Sequence, residues 1–342
     1  MDTMKAVGLM RYLPIENPES LEDVVIEKPK ATGRDILVKV AAISVNPVDT
    51  KVRAPKDKVE EAPKILGWDV AGIVDEVGPH CSLFRPGDEV FYAGSIARQG
   101  GNSEYHLVDE RIVGRKPASL TFAEAAALPL TSITAWEALF TRMLLSQDPS
   151  VNKGKTLLII GAAGGVGSIA IQLAKQAGLT VIGTASRPET VEWVQSMGAD
   201  YTINHHDPLL PQLQALGFPS VPYIFCLNAL EKHWAGIGEV ISPQGVVCAI
   251  DDPTSPLDLT VLKQKSVTFV WEFMFTRSLF ETDDMIEQHH LLNRVAEAVD
   301  QQKLKTTLAE VLGPISAENL RQAHKLLESN KAIGKIVLEG FA

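Results

Sequence analysis

The sequence is poor in cysteine, in aromatic residues and in positive charge, and it has no long apolar run. Its three cysteines among 342 residues are too few and too widely spaced for a disulfide framework or a paired-cysteine metal site. No stretch approaches the roughly 20 apolar residues that a membrane span needs, and the N-terminus lacks a basic segment followed by an apolar one. We therefore expect a cytoplasmic protein without a membrane partner.

The charge balance is acidic. A net charge of −10, without a dense run of Lys or Arg, argues against nucleic acid as a partner. With 45% apolar and 22% charged residues, the composition is typical of a globular protein, and the length predicts about two domains. Two domains make a ligand-binding cleft between them an expectation.

The first 120 residues are predicted to be mainly β. Short runs at 36–43, 70–77 and 89–92 are rich in β-branched residues and are separated by Gly, Pro and Asp. From Phe122 the pattern becomes helical, with helices predicted at 123–130 and 131–145 and Pro129 separating them. This change predicts a domain boundary.

Residues 155–275 alternate strand-like runs with helical stretches, which predicts βαβ units and a parallel sheet. The predicted strands are 156–160, 180–184, 223–227, 245–250 and 267–271. The tail predicts amphipathic helices near 284–301 and 317–327 and a strand at 334–338. The pattern alone leaves open whether this tail rejoins the first domain.

A glycine-rich turn directly follows the strand at 156–160 and precedes a helix with one apolar face. A strand, a glycine turn and a helix N-terminus let backbone N–H groups face a pyrophosphate, which predicts dinucleotide binding. The candidate residues of the turn are Ala163, Gly164, Gly165, Val166 and Gly167.

The next strand ends in Ala185-Ser186-Arg187, where an NAD-binding protein usually carries a carboxylate for the ribose hydroxyl. Arg187 suits the 2′-phosphate of NADPH instead, because guanidinium pairs with phosphate through two hydrogen bonds. We therefore favour NADPH over NADH. The alternative is that Arg187 is a solvated loop charge near Glu189.

Four ordered motifs give the chain a resemblance to a known family. They are Ser44-Val45-Asn46-Pro47-Val48-Asp49, Gly67-Trp68-Asp69-Val70-Ala71-Gly72, a segment from Phe84 to Val90, and Leu128-Pro129-Leu130-Thr131 before the glycine turn. The chain resembles the quinone oxidoreductase branch of the medium-chain dehydrogenase/reductase superfamily, near the bacterial zinc-type alcohol dehydrogenase-like proteins.

The resemblance implies an α/β fold class. It would combine a GroES-like β-barrel catalytic domain (1–128), a Rossmann domain with a doubly wound parallel sheet (129–275) and a C-terminal return to the catalytic domain (276–342). Further cofactor contacts implied by the family are Thr131, Thr134, His205, Asn228 and Ile250. His205 and His206 have the alternative interpretation of a solvated loop.

The residues at the family's zinc-ligand positions argue against zinc. Asn46 stands at the first ligand position and Trp68 replaces the histidine of the Gly-His-Glu motif. An amide and an indole do not make a Zn²⁺ site, which prefers thiolate, imidazole or carboxylate ligands. We predict no bound zinc. A zinc-dependent alcohol dehydrogenase with unconventional ligands is the alternative.

Without a Lewis acid, quinones and α,β-unsaturated carbonyls are the expected acceptors, because they supply their own electrophilicity. The candidate catalytic residues are Asn46, as a donor to a forming oxyanion, Asp49, as an orienting group, and Lys51, as a cation. Lys51 departs from the family pattern, where several quinone oxidoreductases have Tyr. The alternative is that Asn46 and Asp49 only satisfy the backbone of a turn centred on Pro47.

Three aromatic residues, Trp68, Trp271 and Phe273, are candidate walls of an apolar substrate pocket, with plain core packing as the alternative. The sequence thus predicts an NADPH-dependent reductase of quinones or enones.

A homodimer is expected, with residues 267–273 pairing across its interface. An NADPH-binding sensor or a moonlighting protein with little catalysis is the alternative from another class.

Overall fold

A computed structural model describes residues 2–341 of the chain. Its strands, in chain order, are β1 (Thr3–Tyr12), β2 (Glu22–Glu27), β3 (Asp35–Ser44), β4 (Lys56–Ile65), β5 (Val70–Val77), β6 (Glu89–Tyr92), β7 (Tyr105–Asp109), β8 (Val113–Arg115), β9 (Thr156–Ile160), β10 (Thr180–Thr184), β11 (Tyr201–Ile203), β12 (Val221–Cys226), β13 (Ile241–Ala249), β14 (Thr268–Trp271), β15 (Leu308–Val311) and β16 (Lys335–Glu339).

The α-helices, in chain order, are α1 (Pro47–Arg53), α2 (Phe122–Ala126), α3 (Pro129–Trp136), α4 (Pro149–Asn152), α5 (Gly165–Gln176), α6 (Pro188–Ser196), α7 (Leu209–Ala215), α8 (Leu230–Val240), α9 (Thr276–Leu279), α10 (Glu287–Asp300) and α11 (Ala317–Glu328). Between residues 2 and 341, none of the helices is both long enough and apolar enough to cross a bilayer.

The chain divides into two compact units, and the first joins residues 2–133 to residues 275–341. Its larger sheet runs in the order β15-β16-β3-β5-β6-β8, and β7 also pairs with β3. A smaller sheet has the order β2-β1-β4. The C-terminal tail belongs to this unit because β16 pairs antiparallel with β3, with Val337 opposite Ser44.

The second unit consists of residues 134–274 and is built on one six-stranded sheet. The order is β11-β10-β9-β12-β13-β14, and every pair is parallel. Numbered within the unit, this is 3-2-1-4-5-6, the order of a doubly wound dinucleotide-binding sheet. All five residues of β9 are buried, as an apolar central strand of a parallel sheet requires. The predicted fold class is confirmed.

The predicted strands at 70–77, 89–92, 156–160 and 180–184 are confirmed to the residue. The prediction of two helices that break near Pro129 is confirmed, but the predicted boundary at 130/131 was wrong, because Pro129 begins α3. Proline is favoured at the first helical position, where its missing N–H would have had no partner. The preceding helix ends at Ala126, and α3 continues as a π-helix over Glu137–Arg142 instead of running to 145.

Candidate active site

The predicted cofactor residues of the second unit share one edge of its sheet. All strands of the sheet are parallel, so their carboxyl ends lie at the same edge, where ligands of such sheets bind. Each strand from β9 to β13 is followed within two residues by a predicted cofactor residue or by the glycine turn. In chain order these are Gly161 at the start of the turn, Ser186, His205, Asn228 and Ile250.

The glycine turn starts at the point where the strand order reverses. Gly161 has a φ of +88° and donates its N–H to Thr184 Oγ1 at 3.0 Å. A Cβ on Gly161 would stand 2.8 Å from Oδ1 of Asn228, which follows β12. Only glycine satisfies both the left-handed backbone and this close approach. Gly161 and Asn228 therefore mark the switch point between β9 and β12.

Two of the three glycines at the N-terminus of α5, Gly164 and Gly167, have different surroundings. A Cβ on Gly167 would stand 2.4 Å from the carbonyl oxygen of Ala162, so this glycine allows the helix to pack on the turn. A Cβ on Gly164, the N-cap residue, would meet nothing closer than Gly161 O at 3.7 Å. The space at Gly164 is therefore open, which suits the approach of a phosphate to the free N–H groups of a helix N-terminus.

The other turn residues lie at the same place. Ala163, Gly165 and Val166 are half-buried beside Gly164. Gly164 itself is held by Ser168, whose hydroxyl donates to its carbonyl oxygen at 2.8 Å. The backbone of this turn is thus fixed by contacts within the protein, and the residues present fit a dinucleotide.

Arg187 lies in the turn after β10 and caps α6. Its side chain is 35% exposed and its Nε lies 3.3 Å from Glu189 Oε1. The contact with Glu189 expected by the alternative interpretation is present. An ion pair at an exposed position contributes only about 0–1 kcal/mol, so it does not prevent the guanidinium from binding a phosphate. The role of Arg187 remains a prediction.

His205 is part of a group of three histidine rings. Its ring centroid is 4.3 Å from that of His206 and 6.4 Å from that of His233. Burial lowers the pKa of His205 and lowers that of His233 to about 4. The rings of His205 and His233 are therefore expected to be neutral at neutral pH, and a neutral ring suits stacking on a planar ligand.

The two predicted threonines fall in different units. Thr131 is in the first unit, where its hydroxyl donates to the carbonyl oxygen of Leu128 at 3.1 Å. Thr134 is in the second unit. Both side chains are buried.

In the first unit, the predicted catalytic residues Asn46 and Asp49 belong to a buried polar network at the start of α1. The backbone N–H of Asn46 donates to Asp49 Oδ2 at 2.7 Å. Its side-chain Nδ2 donates to Asp69 Oδ2 at 2.8 Å, and its Oδ1 accepts from Lys335 Nζ. One of the two amide N–H groups of Asn46 is therefore used by Asp69.

Asp49 is fully buried, and burial raises its pKa to about 7. The hydrogen bond from Asn46 and the charge of Lys335 act in the opposite direction. Lys51, by contrast, lies exposed in the last turn of α1.

The three predicted pocket residues have different environments. Trp68 is fully buried in the first unit, where its Nε1 donates to Ser95 O at 3.2 Å and its ring packs edge-on against Phe275. It is a core side chain, as the alternative interpretation holds. Trp271 and Phe273, in the second unit, are 48% and 46% exposed. Of the three, these two offer accessible aromatic surface.

The residues at the zinc-ligand positions do not suit zinc. The indole of Trp68 acts as a hydrogen-bond donor, and the amide oxygen of Asn46 accepts from an ammonium group. Within residues 2–341, no group of three or more His, Cys, Asp or Glu side chains is arranged to hold a metal ion. Thiolate and imidazole, which Zn²⁺ prefers, are missing from these two positions.

Sequence reasoning missed Asp69 and Lys335 as site residues. Each is a charged residue at the border of a buried strand, since Asp69 precedes β5 and Lys335 begins β16. Charged residues are rarely buried unless they are paired. Two opposite charges beside buried strands were the sequence signal for a buried ion pair. Their contact, however, depends on the pairing of β16 with β3, which the sequence pattern left open.

Comparison with known proteins now places the chain in a family. Residues 32–135 match the alcohol dehydrogenase GroES-like domain, and residues 197–338 match the zinc-binding dehydrogenase domain. A zinc-type alcohol dehydrogenase-like protein of Staphylococcus aureus is 46% identical over 98% of this chain and 99% of its own length. The chain belongs to the medium-chain dehydrogenase/reductase superfamily. The recognition from sequence motifs is confirmed, and the chain is an oxidoreductase of this superfamily.

Solved structures agree with the assignment. The crystal structure of a putative zinc-dependent alcohol dehydrogenase from Rhizobium etli has a TM-score of 0.95 and 54% identity, and covers 100% of this chain and 99% of its own. A Pseudomonas syringae quinone oxidoreductase has a TM-score of 0.82 and 26% identity over 98% and 99% of the chains. A tomato relative, 2-methylene-furan-3-one reductase, is 30% identical over 98% of this chain and 79% of its own.

Proposed function

We propose that this chain is an NADPH-dependent, zinc-independent reductase of the cytoplasm that transfers a hydride to quinones or α,β-unsaturated carbonyls. The observation that carries the proposal is the glycine turn at the switch point of the sheet, with an open Gly164 at the N-terminus of α5. A dinucleotide pyrophosphate is the ligand that this combination of turn, helix N-terminus and switch point suits best.

NADPH is proposed over NADH because the turn after β10 has Arg187 and no carboxylate. Most of the proposed cofactor residues follow strands at the carboxyl edge of the sheet. Ala163, Gly164, Gly165, Val166 and Gly167 would meet the pyrophosphate, Ser186 and Arg187 the 2′-phosphate and His205 the adenine. Thr131, Thr134, Asn228 and Ile250 would lie along the nicotinamide half. When bound, NADPH supplies a hydride from its nicotinamide ring.

The acceptor that takes a hydride also develops negative charge on oxygen and needs one proton. The second amide N–H of Asn46 is proposed to donate to that oxygen, because Asp69 uses only the first. Lys51, exposed on α1, is the proposed proton source, and the buried carboxyl of Asp49 holds the backbone of Asn46 in place. Trp271 and Phe273 are proposed to contact the apolar part of the acceptor.

A homodimer is part of the proposal. β14 ends the strand order of the second unit, and Trp271 at its end is about half exposed. An edge strand of this kind pairs readily with a second copy.

The experiment is an assay of NADPH and NADH oxidation by chelator-treated protein against benzoquinones, naphthoquinones and 2-alkenals, with the metal content measured on the same protein. Turnover with NADPH in the absence of metal supports the proposal and identifies the acceptor class. Activity that requires added zinc would instead favour an alcohol dehydrogenase. Tight NADPH binding without turnover of any acceptor would favour a sensor.

A further inference from the structure

Lys335, the first residue of β16, carries its ammonium group in the interior of the first unit, with only 3% of its side chain exposed. Nζ donates to Val45 O at 2.8 Å, to Asp69 Oδ2 at 3.0 Å and to Asn46 Oδ1. An ammonium group has three N–H donors, and these three acceptors use them all. Lys335 therefore has no donor left for a substrate, and its role is that of a fixed cation.

Asp69 is the counter-ion, and its side chain is completely buried. Besides Lys335, the carboxylate accepts from the Leu130 N–H, the Ser44 hydroxyl and the Asn46 amide, each at 2.8 Å. Four donors around one carboxylate satisfy a buried negative charge. The ion pair and its partners thus join four parts of the chain, namely residues 44–46, Asp69, Leu130 and Lys335.

The Asn46 amide lies between the two charges, and they determine its orientation. An ammonium only donates and an ionised carboxylate only accepts, so the amide oxygen must face Lys335 and the amide nitrogen must face Asp69. The reverse orientation would place two donors against each other and two acceptors against each other.

The same residues occupy the family's zinc-ligand region. Asn46 is at the first ligand position, and Asp69 directly follows Trp68 at the second. Lys335 binds Asn46 Oδ1 and Asp69 Oδ2, two of the oxygen atoms that a cation would find there, and the Leu130 N–H binds Asp69 Oδ1. We propose that the Lys335 ammonium is an internal cation that takes the place of a metal ion in this unit and fixes the Asn46 amide in one orientation.

The first test measures the internal cation by chemical rescue of Lys335→Ala. Removing one partner of a buried ion pair is strongly destabilising, so the melting temperature should fall by about 5–10 °C. Ethylammonium chloride should restore part of this loss relative to an equal concentration of sodium chloride, because the small ammonium ion refills the vacated space. Lys39→Ala, which removes an exposed lysine from the neighbouring strand β3, is the matched control.

An unchanged melting temperature in Lys335→Ala, or an equal response of both variants to ethylammonium, would overturn the proposal. If Lys335→Ala does not fold, the ion pair is tested instead by comparing the melting temperatures of Lys335→Met and the double variant Lys335→Met/Asp69→Asn. It removes both charges and should melt above Lys335→Met alone, since no unpaired carboxylate is left behind. A melting temperature of the double variant that is no higher than that of Lys335→Met would contradict the proposed ion pair.

The second test observes the amide directly by NMR of protein with ¹⁵N-labelled asparagine. The side-chain NH₂ signals of Asn46, identified by their loss in Asn46→Asp, should exchange slowly with solvent. They should shift and exchange faster in Lys335→Met. Unchanged signals would refute the orienting role. A merely structural effect of Lys335 would not single out this amide.

The role of Asn46 toward the acceptor rests on the proposed reductase function, whereas the internal cation does not. Turnover of NADPH with the best acceptor is therefore measured on the same variants. Lys335→Met should lower kcat by about tenfold or more while leaving the KM for NADPH within about twofold. If the wild-type protein has no reductase activity, the proposed function is wrong, but the thermal and NMR tests of the internal cation still apply. Unchanged kcat beside a shifted Asn46 signal would defeat only the catalytic role of that orientation.

Discussion

Arg53 donates from its Nε to His324 Nδ1 at 3.2 Å in the interior of the first unit. The bond joins the last residue of α1 to the middle of α11. Arg53 also donates to Leu13 O at 2.6 Å and pairs with Glu328. Because Nδ1 accepts, the imidazole is neutral and carries its proton on Nε2. The helix that presents Asn46 and Lys51 is therefore tied to the C-terminal tail through a neutral histidine.

This histidine predicts a loss of stability in acid. Burial, and secondarily the charge of Arg53, lower the pKa of His324 from 6.5 to about 3. The unfolded chain then binds more protons than the folded protein below pH 6.5, so stability falls as the pH falls from there towards 3. Between pH 7 and pH 5 this group alone should remove about 2 kcal/mol.

The measurement is urea unfolding of wild type and His324→Gln at pH 7 and pH 5. Gln keeps an oxygen that accepts from Arg53 but does not titrate, so the variant should lose less stability between the two pH values. His80→Gln, at an exposed position, serves as the control and should follow the wild type. Parallel behaviour of wild type and His324→Gln would show that His324 does not titrate in this range.

A buried carboxyl pair in the second unit predicts the opposite pH dependence. Glu272 is 2% exposed and accepts from Arg142 Nε at 2.9 Å. Burial and the nearby carboxylate of Glu137 raise the pKa of Glu272 above its ordinary 4.5. The folded protein then holds a proton that the unfolded chain releases, so stability falls as the pH rises above about 4.5.

Glu272→Gln removes this titration while keeping an oxygen for Arg142. The variant's loss of stability between pH 5 and pH 8 should be smaller than that of the wild type by about 1–3 kcal/mol. Urea unfolding at the two pH values measures it, with the exposed Glu239→Gln as the control in the same unit. An equal loss in Glu272→Gln and wild type would mean that Glu272 is ionised throughout.

The fold was predictable where one local pattern decides the structure. The run at 156–160 is apolar throughout and ends in a glycine turn, so its strand and its place in a βαβ unit followed directly. β1 and β4 were not predicted, since their residues alternate weakly and their partners are distant in the chain. Pro129 was misassigned because proline both ends helices and begins them.

The candidate cofactor residues of the second unit were predictable from the sequence, because the glycine motif and the strand order both indicate the same edge of the sheet. The first unit was harder, because Asp69 and Lys335 are separated by 266 residues in the sequence. No local pattern links them. Only the pairing of β16 with β3 brings Lys335 to the end of β3, next to Val45 and Asn46.

Two alanine substitutions in the glycine turn should separate folding from cofactor binding. Gly167→Ala places a Cβ 2.4 Å from Ala162 O and should cost about 1–3 kcal/mol of stability. Gly164→Ala has an ordinary φ of −76° and open space, so its melting temperature should match the wild type. Its affinity for NADPH should nevertheless fall by about tenfold or more, because a methyl group would block the phosphate. NADPH affinity is measured by cofactor fluorescence. An unchanged affinity in Gly164→Ala would show that the glycine turn does not bind NADPH.

Arg187 and Glu189 should have opposite effects on NADPH binding. Arg187→Ala removes the only basic side chain of the segment 185–190 and should weaken NADPH binding by about 10–100-fold, with little effect on NADH. Glu189→Ala removes the carboxylate that lies 3.3 Å from the guanidinium. It should strengthen NADPH binding by less than about fivefold, since an exposed ion pair is worth at most about 1 kcal/mol.

Titrations of wild type, Arg187→Ala and Glu189→Ala with NADPH and with NADH measure these differences in affinity. Lys153→Ala, at an exposed position of the same unit, controls for a general loss of positive charge. Equal weakening of NADPH and NADH in Arg187→Ala would mean that Arg187 does not read the 2′-phosphate, and the preference for NADPH would lose its structural basis.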